Sequence, residues 1–376
     1  MKVSVLQDNL AKALSTVSKA VDSKPQLPVL ANVLLVAEGS QLMVAATNLQ
    51  ISMTMWIGAK ITEPGSVTLP AKTFVDLVNN LSQERVDLTL DQTNNTVLVR
   101  CGATKSNIKG IDADEFPPIM HDEEPDLHIE GRTLRGMINQ TAFAAAREDT
   151  RPILTGVYTE IEGDRITMAA ADGYRLAVRS GKLEVPYGGP KTSIVIPARV
   201  LMEVARAIEE NEREVGLALP KKRETVTFLL PHLNISAQLL DGRFPDFSAI
   251  IPKSYVTQTV MYTDDLLRAC KRAEIFARDS AYSGRLYVKP AGGPSEPGEV
   301  MVVGRSAERG DNEGVLDASV EGEPLDISFN IAYLIDVLRV IEEQRVIFQS
   351  NGPENPGVIR PENRDDFVHV IMPMSR

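Results

Sequence analysis

Val3-Ser4-Val5-Leu6, followed at once by Asp8-Asn9-Leu10-Ala11-Lys12-Ala13-Leu14, decides the fold, because the same phrase is written twice more along the chain. It returns as Leu127-His128-Ile129 before Arg132-Thr133-Leu134-Arg135-Gly136-Met137-Ile138, and as Thr259-Val260-Met261-Tyr262 before Asp264-Asp265-Leu266-Leu267-Arg268-Ala269-Cys270. In each copy a short β-like run passes into an apolar stripe of helical period, such as Leu10, Leu14 and Val17 or Leu134, Met137 and Ile138. That is the signature of a strand feeding an amphipathic helix.

Two further phrases follow in the same order each time. Val67-Thr68-Leu69-Pro70-Ala71-Lys72 leads into Phe74-Val75-Asp76-Leu77-Val78; its counterparts are Ile194-Val195-Ile196-Pro197-Ala198-Arg199 and Ile327-Ser328-Phe329-Asn330, each before an apolar helix. Alternating runs then predict hairpins: 86–90 with 96–100, 215–219 with 225–229, and 345–348 with 357–359. Equivalent phrases lie roughly 125–135 residues apart, a domain length rather than a solenoid period. The reading is an α+β chain of three related domains, 1–124, 125–253 and 254–376, each with two helices on antiparallel sheets. His121-Asp122-Glu123-Glu124-Pro125 reads as a linker. Each half-domain starts strand-then-helix, which suggests an internal two-fold pattern.

The 376 residues are 43% hydrophobic and 24% charged, a balance of folded domains. No run of about 18 apolar residues is present to span a membrane. The N-terminus lacks the apolar core of a signal peptide, and Cys101 and Cys270 form no CxxC, so a cytoplasmic protein with buried thiols is expected. The net charge of −11 opposes any nucleic acid-binding role that needs tight attraction. Yet over the expected helical windows 8–24, 70–81, 132–147, 197–208, 266–278 and 330–340, Lys and Arg exceed Asp and Glu by eight. Two readings fit: solvated helix faces, or helices gathered on one side as a basic lining for a duplex. With 5% aromatic residues, stacking on single strands has little support.

A search for catalysis finds no GxxxxGK[ST], no strand–GxGxxG–helix and no GxSxG. His121, His128, His232 and His369 have no metal-ligand spacing. Asp172-Gly173-Tyr174-Arg175 and Asp241-Gly242-Arg243 read as tight turns with glycine at positive φ, the metal-binding turn being the alternative. No enzymatic activity, cofactor or metal is expected.

Five phrases carry a family resemblance: Lys24-Pro25-Gln26-Leu27-Pro28-Val29-Leu30, Ala170-Ala171-Asp172-Gly173-Tyr174-Arg175-Leu176-Ala177, Leu240-Asp241-Gly242-Arg243-Phe244-Pro245-Asp246, Phe329-Asn330-Ile331-Ala332-Tyr333 and Val370-Ile371-Met372-Pro373-Met374. In this order the chain resembles the bacterial DNA polymerase III β sliding clamps over nearly its whole length. The resemblance implies three tandem DNA-clamp domains and a head-to-tail homodimer closed into a ring around double-stranded DNA. It implies no catalysis; the partners are the replicative polymerase catalytic subunit, a clamp loader and other proteins carrying a clamp-binding motif. By the same resemblance Lys24 and Arg199 face DNA, and Ile108, Ile275 and Phe276 line the dimer interface. A partner-peptide pocket would be walled by Arg151, Leu154, Gly173, Tyr174, Leu176, Pro245, Ile250, Asn330, Tyr333, Val370, Ile371, Met372, Pro373 and Met374. Met, Val and Pro suit an adaptable apolar trough for Leu and Phe anchors; for Met372-Pro373-Met374 a core strand with a fraying end is the equal alternative. The chain departs from the pattern at Tyr174, where relatives often have His, and at Ala171, where they often have Thr; Ser375-Arg376 extends the ending and 290–298 is a lengthened loop.

Overall fold

The computed structural model describes residues 1–22, 25–119, 123–148, 150–221, 224–293 and 297–374. Its contacts divide the chain into two packing units, Met1–Ile129 with Glu212–Leu239, and Glu130–Asn211 with Leu240–Arg376.

The first unit holds two antiparallel sheets. One has the order Lys60–Glu63, Lys2–Leu6, Arg85–Asp91, Thr96–Cys101, Thr104–Lys109. The other runs Leu127–Glu130, Glu214–Ala218, Thr225–Leu230, Leu233–Gln238, Ile51–Gly58, Gln41–Thr47, Asn32–Glu38, Gly65–Pro70. The second unit is built on one twelve-stranded sheet. Its order is Thr192–Pro197, Gly156–Glu162, Arg165–Ala171, Arg175–Lys182, Phe367–Ile371, Gly357–Pro361, Arg345–Ser350, Thr257–Tyr262, Gly310–Gly322, Gly298–Ser306, Ser283–Lys289, Leu325–Asn330.

These orders contain one motif three times. In each repeat the opening strand pairs with the predicted hairpin and a fourth strand follows: 2–6, 85–91, 96–101, 104–109, then 127–130, 214–218, 225–230, 233–238, then 257–262, 345–350, 357–361, 367–371. A second group of four also recurs: 51–58, 41–47, 32–38, 65–70, then 175–182, 165–171, 156–162, 192–197, then 310–322, 298–306, 283–289, 325–330. The last strand of one repeat's first group bonds to the leading strand of the preceding repeat's second group. Leu233↔Met55 through Ala237↔Ile51 forms one such junction, and Phe367↔Arg179 through Ile371↔Arg175 forms the other in the same register. Each half of the middle repeat is therefore hydrogen-bonded into a neighbour's sheet, and contacts group its halves into different units.

Among the described residues six α-helices follow their strands directly: α1 Gln7–Val17, α2 Ala71–Asn79, α3 Gly131–Thr141, α4 Ala198–Ala207, α5 Thr263–Ala277 and α6 Ile331–Leu338. The apolar stripes read from sequence are their buried faces: Leu10, Leu14 and Val17 on α1, and Leu134, Met137 and Ile138 on α3, are fully buried. Burying one such side chain contributes roughly 1.5–3 kcal/mol. α1 packs on α2 and on strands 41–47 and 51–58; α3 packs on α4 and on strands 165–171 and 175–182; α5 packs on α6 and on strands 298–306 and 310–322. Contact in the last case is backbone to backbone: a Cβ at Gly304 would stand 2.1 Å from the Ala273 carbonyl oxygen, so only glycine fits.

The helix bounds correct the charge reading. α1 ends at Val17 and α3 at Thr141, each passing into a short 3₁₀ turn, and α5 begins at Thr263, taking in Asp264 and Asp265. Those acids suit the positive end of the helix dipole; with them inside the helices and Lys19, Arg147, Arg278 and Arg339 outside, most of the expected excess is gone. The helices carry nine basic and seven acidic residues, a surplus of two rather than eight. Arg206 pairs with Glu203, Arg268 with Asp265, and Arg278, just past α5, with Glu274. No helix among the described residues is long and apolar enough to cross a membrane. Cys101 and Cys270 are free and buried, and burial pushes the Cys270 thiol up to about 12.

Candidate functional site

The site begins at a turn. Strand Arg165–Ala171 reverses through Asp172 and Gly173, whose φ of +94° favours glycine. Asp172 Oδ1 accepts the backbone N–H groups of Tyr174 at 2.9 Å and Arg175 at 3.0 Å, closing an Asx turn. The turn lifts Tyr174 into solvent, 66% exposed, and sends Arg175 inward, 5% exposed.

Arg175 is the organising residue, and the sequence reading did not single it out. Its Nε donates to Asp172 Oδ2 at 2.9 Å, Nη1 to Asp336 Oδ2 at 2.8 Å and Nη2 to the Phe143 carbonyl at 2.8 Å. Its guanidinium carbon lies 4.2 Å from the Tyr333 ring centroid and 5.4 Å from that of Phe143. One planar cation thus ties together the turn, α6 and the segment after α3, a role its rigid fork suits better than a lysine ammonium would. Burial, then the Asp172 carboxylate, pushes the Tyr333 phenol above its ordinary range.

The C-terminal segment lies against this turn. Strand Phe367–Ile371 pairs with 175–179, with Ile371 opposite Arg175 and Val370 opposite Leu176. Beyond the strand the segment stays anchored: Met372 N–H donates to the Tyr174 carbonyl and Met374 N–H to that of Ser328, both at 2.8 Å. Met372 is exposed, while Pro373 and Met374 are half-buried.

The floor is apolar and continuous. Leu176 and Val370 pack with Ala169, Val178 and Val358; Leu154 packs with Val195 and Phe244; Tyr158, Ala171 and Phe247 touch both groups. Tyr158 stacks on Phe244 at 5.6 Å and meets Phe247 edge-on at 5.7 Å. Pro245 is exposed beside Phe244, and Ile250, 42% exposed, donates its N–H to the Phe247 carbonyl. Arg151 is exposed before the turn Pro152–Thr155 that carries Leu154.

The turn, the C-terminal segment, the 244–250 loop and Leu154 therefore meet around one patch with a buried floor and exposed apolar rim. Asn330 has a local duty, since its Oδ1 accepts from Ala332 N–H at 3.0 Å and caps α6. Deep beneath, His369 is fully buried opposite Ala177, its ring 5.4 Å from Phe143. Neither of its nitrogens has a hydrogen-bond partner among the described residues. Burial, then the nearby Arg175 charge, lowers its pKa to about 3, so the imidazole is neutral.

The other sequence candidates are not among the residues that form this patch. Arg199 is exposed on α4, and Ile275, 53% exposed, adjoins half-buried Phe276 on α5. In the first unit Ile108 is buried within its own sheet opposite Val97. Lys24 lies outside the described residues. No group of His, Cys, Asp and Glu among the described residues is arranged to hold a metal ion.

Family comparisons cover the chain from end to end. Residues 1–120 match the N-terminal domain of the DNA polymerase III beta subunit, 128–246 its central domain and 248–375 its C-terminal domain. The Beta sliding clamp of Bacillus subtilis (strain 168) is 31% identical over 384 residues, spanning 100% of this chain and 99% of the relative. The crystal structure of the DNA polymerase sliding clamp from Bacillus subtilis superposes with a TM-score of 0.93 at 29% identity, covering 100% of this chain and 99% of that one. A DnaN sliding clamp from Pseudomonas aeruginosa bound to griselimycin superposes with a TM-score of 0.90 at 28% identity, covering 100% of both chains.

Proposed function

The chain belongs to the bacterial β sliding clamp family, the beta subunit of DNA polymerase III, and from that premise we propose that it is a non-catalytic ring. Two copies close head to tail around duplex DNA and hold the replicative polymerase on it. The observation carrying this reading is the repeated sheet junction. Two of three equivalent junctions are made within the chain, with the same five-residue register. The third would need the last strand of the first group in repeat one and the leading strand of the second group in repeat three. Both offer an open edge among the described residues: Thr104–Lys109 ends its sheet, and Gly310–Ala318 pairs only with Gly298–Ser306. A long unpaired edge is a template for another strand. A heterologous contact that closes makes a ring rather than a filament.

Carrying the junction register over sets Ile108 of one copy opposite Gly310 of the other, Asn107 opposite Asp311, Ser106 opposite Asn312, Lys105 opposite Glu313 and Thr104 opposite Gly314. Lys105 and Glu313 are of opposite sign, as cross-strand neighbours should be. Ile275 and Phe276 supply apolar cover beside this seam. Domains 1–124, 125–253 and 254–376 are the units of duplication.

A near-neutral helix set on a chain of −11 suits such a ring. Retention is topological, so phosphate contacts by Lys24, Arg132, Arg199, Lys271 and Arg272 need only be weak enough to permit sliding. The patch at Tyr174 and Met372 receives an extended partner peptide with Leu or Phe anchors. Its walls are the fourteen residues named from sequence, with Arg175 holding them in place, and polymerase, clamp loader and other motif-bearing proteins share it. The protein works in the cytoplasm without a cofactor. After loading, it should stay on closed circular DNA and leave when the circle is cut; equal retention on linear and circular DNA contradicts the proposal.

A further inference from the structure

The first unit carries a second apolar groove, of about 660 Å³, between the strands 32–38, 41–47 and 51–58 and the segment Ala113–Ile119. Leu34, Val36, Met43 and Trp56 form its floor, and Phe116 and Ile119 its wall. Val36, Met43, Trp56 and Ile119 are only half-buried.

The second repeat does not present this face. Strand pairing aligns Leu34, Val36, Met43 and Trp56 with Tyr158, Glu160, Thr167 and Ser180 in the second repeat. There the side chains satisfy one another: Tyr158 Oη donates to Glu160 at 2.6 Å, and the Thr167 and Ser180 hydroxyls lie 3.1 Å apart. In the third repeat Leu34 is matched by Arg285, which is bound to Asp326 and lies over Tyr287, while Tyr287, Met301 and Val315 match Val36, Met43 and Trp56. The second repeat thus shows that the fold accepts polar residues at these positions, so the apolar face of the first repeat is not required for folding. A concave apolar surface left open to water marks an interaction site.

Charge specifies the occupant. Among the described residues Glu38 is the one charged residue lining the groove, and exposed Asp114 and Glu115 lie in the segment that carries its wall, between Ala113 and Phe116. We propose that this groove is a second docking site, distinct from the patch at Tyr174, for an extended partner-protein segment with apolar anchors flanked by basic residues. Such a segment would bury its anchors against Val36, Met43 and Trp56 and set its cations against the acidic wall.

Trp56 is the chain's single tryptophan, so its emission reports the groove selectively. The test titrates the full-length protein with the synthetic peptide acetyl-KALVFK-amide. A saturable emission shift is expected. The acidic acetyl-EALVFE-amide should bind at least about tenfold more weakly at low salt. The double substitution V36Q/M43T, which gives this face the polarity of the second repeat, should weaken the basic peptide at least about tenfold with the circular dichroism spectrum unchanged. Deleting residues 372–376 should leave the titration as it was. No emission change up to about 1 mM peptide, equal binding of the acidic peptide, or equal binding by V36Q/M43T overturns the proposal. So does loss of binding on deletion of 372–376, which places the peptide at the first patch. Emission that follows protein concentration without peptide shows a second copy covering the groove and also overturns it.

Discussion

Replacing Arg175 by methionine keeps the apolar stem and removes three hydrogen bonds at once, to Asp172, Asp336 and the Phe143 carbonyl. The Arg175 side chain is 3% exposed, against 13% for Asp172 and 27% for Asp336. Breaking a buried ion pair by removing one partner costs about 3–5 kcal/mol, because the other charge stays behind. Asp336 is partly wetted and recovers some hydration, which favours the lower end; the lost stacking on Tyr333 adds up to about 1 kcal/mol. The expected loss is about 3–4 kcal/mol of stability in the second packing unit. Arg175→Lys retains the charge but cannot reach three acceptors in three directions, and should fall between. The assay is urea unfolding, with hydrogen exchange read on residues 367–374. Met372 and Met374 amides, bonded to Tyr174 and Ser328, should lose protection, and partner-peptide affinity should fall with them. A loss below about 1 kcal/mol with unchanged tail protection would refute the role given to Arg175.

Deleting residues 372–376 should abolish partner-peptide binding while sedimentation still shows a dimer; unchanged affinity would remove the tail from the site. His369 is held neutral with its pKa near 3, against 6.5 for the ordinary group. The unfolded state therefore takes up the proton first, and stability from this group is complete above about pH 6.5 and lost as pH falls toward 3. Relative to His369→Leu, the parent protein should lose about 2 kcal/mol between pH 7.5 and pH 5, read from urea midpoints; parallel pH profiles would contradict this. Lys105→Glu and Glu313→Lys should each weaken the dimer, and a chain carrying both should recover part of the loss; equal weakening by all three would reject their proximity.

Much of this fold was legible because strand and helix periods differ. The alternation in 86–90 and 96–100 marks the strands Arg85–Asp91 and Thr96–Cys101, and the stripe Leu10, Leu14, Val17 marks the buried face of α1. Boundaries were less so: the helical window 266–278 leaves out Asp264 and Asp265, which serve as the first turn of α5. Strand partners across repeats left no local signal, since Leu233–Gln238 meets Ile51–Gly58 far back in the chain. Arg175 was hidden for the same reason. Asp172 is its sequence neighbour, but Asp336 and Phe143 are 161 and 32 residues away, so the cluster exists only once folded. The groove did leave a trace: Val33-Leu34-Leu35-Val36 is apolar on both faces of its strand, which predicts cover on both sides.

Ring closure through a third copy of the sheet junction is tested most directly by cross-linking. In a chain carrying Ser106→Cys and Asn312→Cys, oxidation should give a covalent dimer joined at both seams, within the reach of a disulfide. Once loaded, that dimer should survive denaturant on circular DNA and slip from linear DNA. Failure of the two cysteines to bridge separate chains, or a bridged dimer released equally from both DNA forms, would contradict the encircling ring.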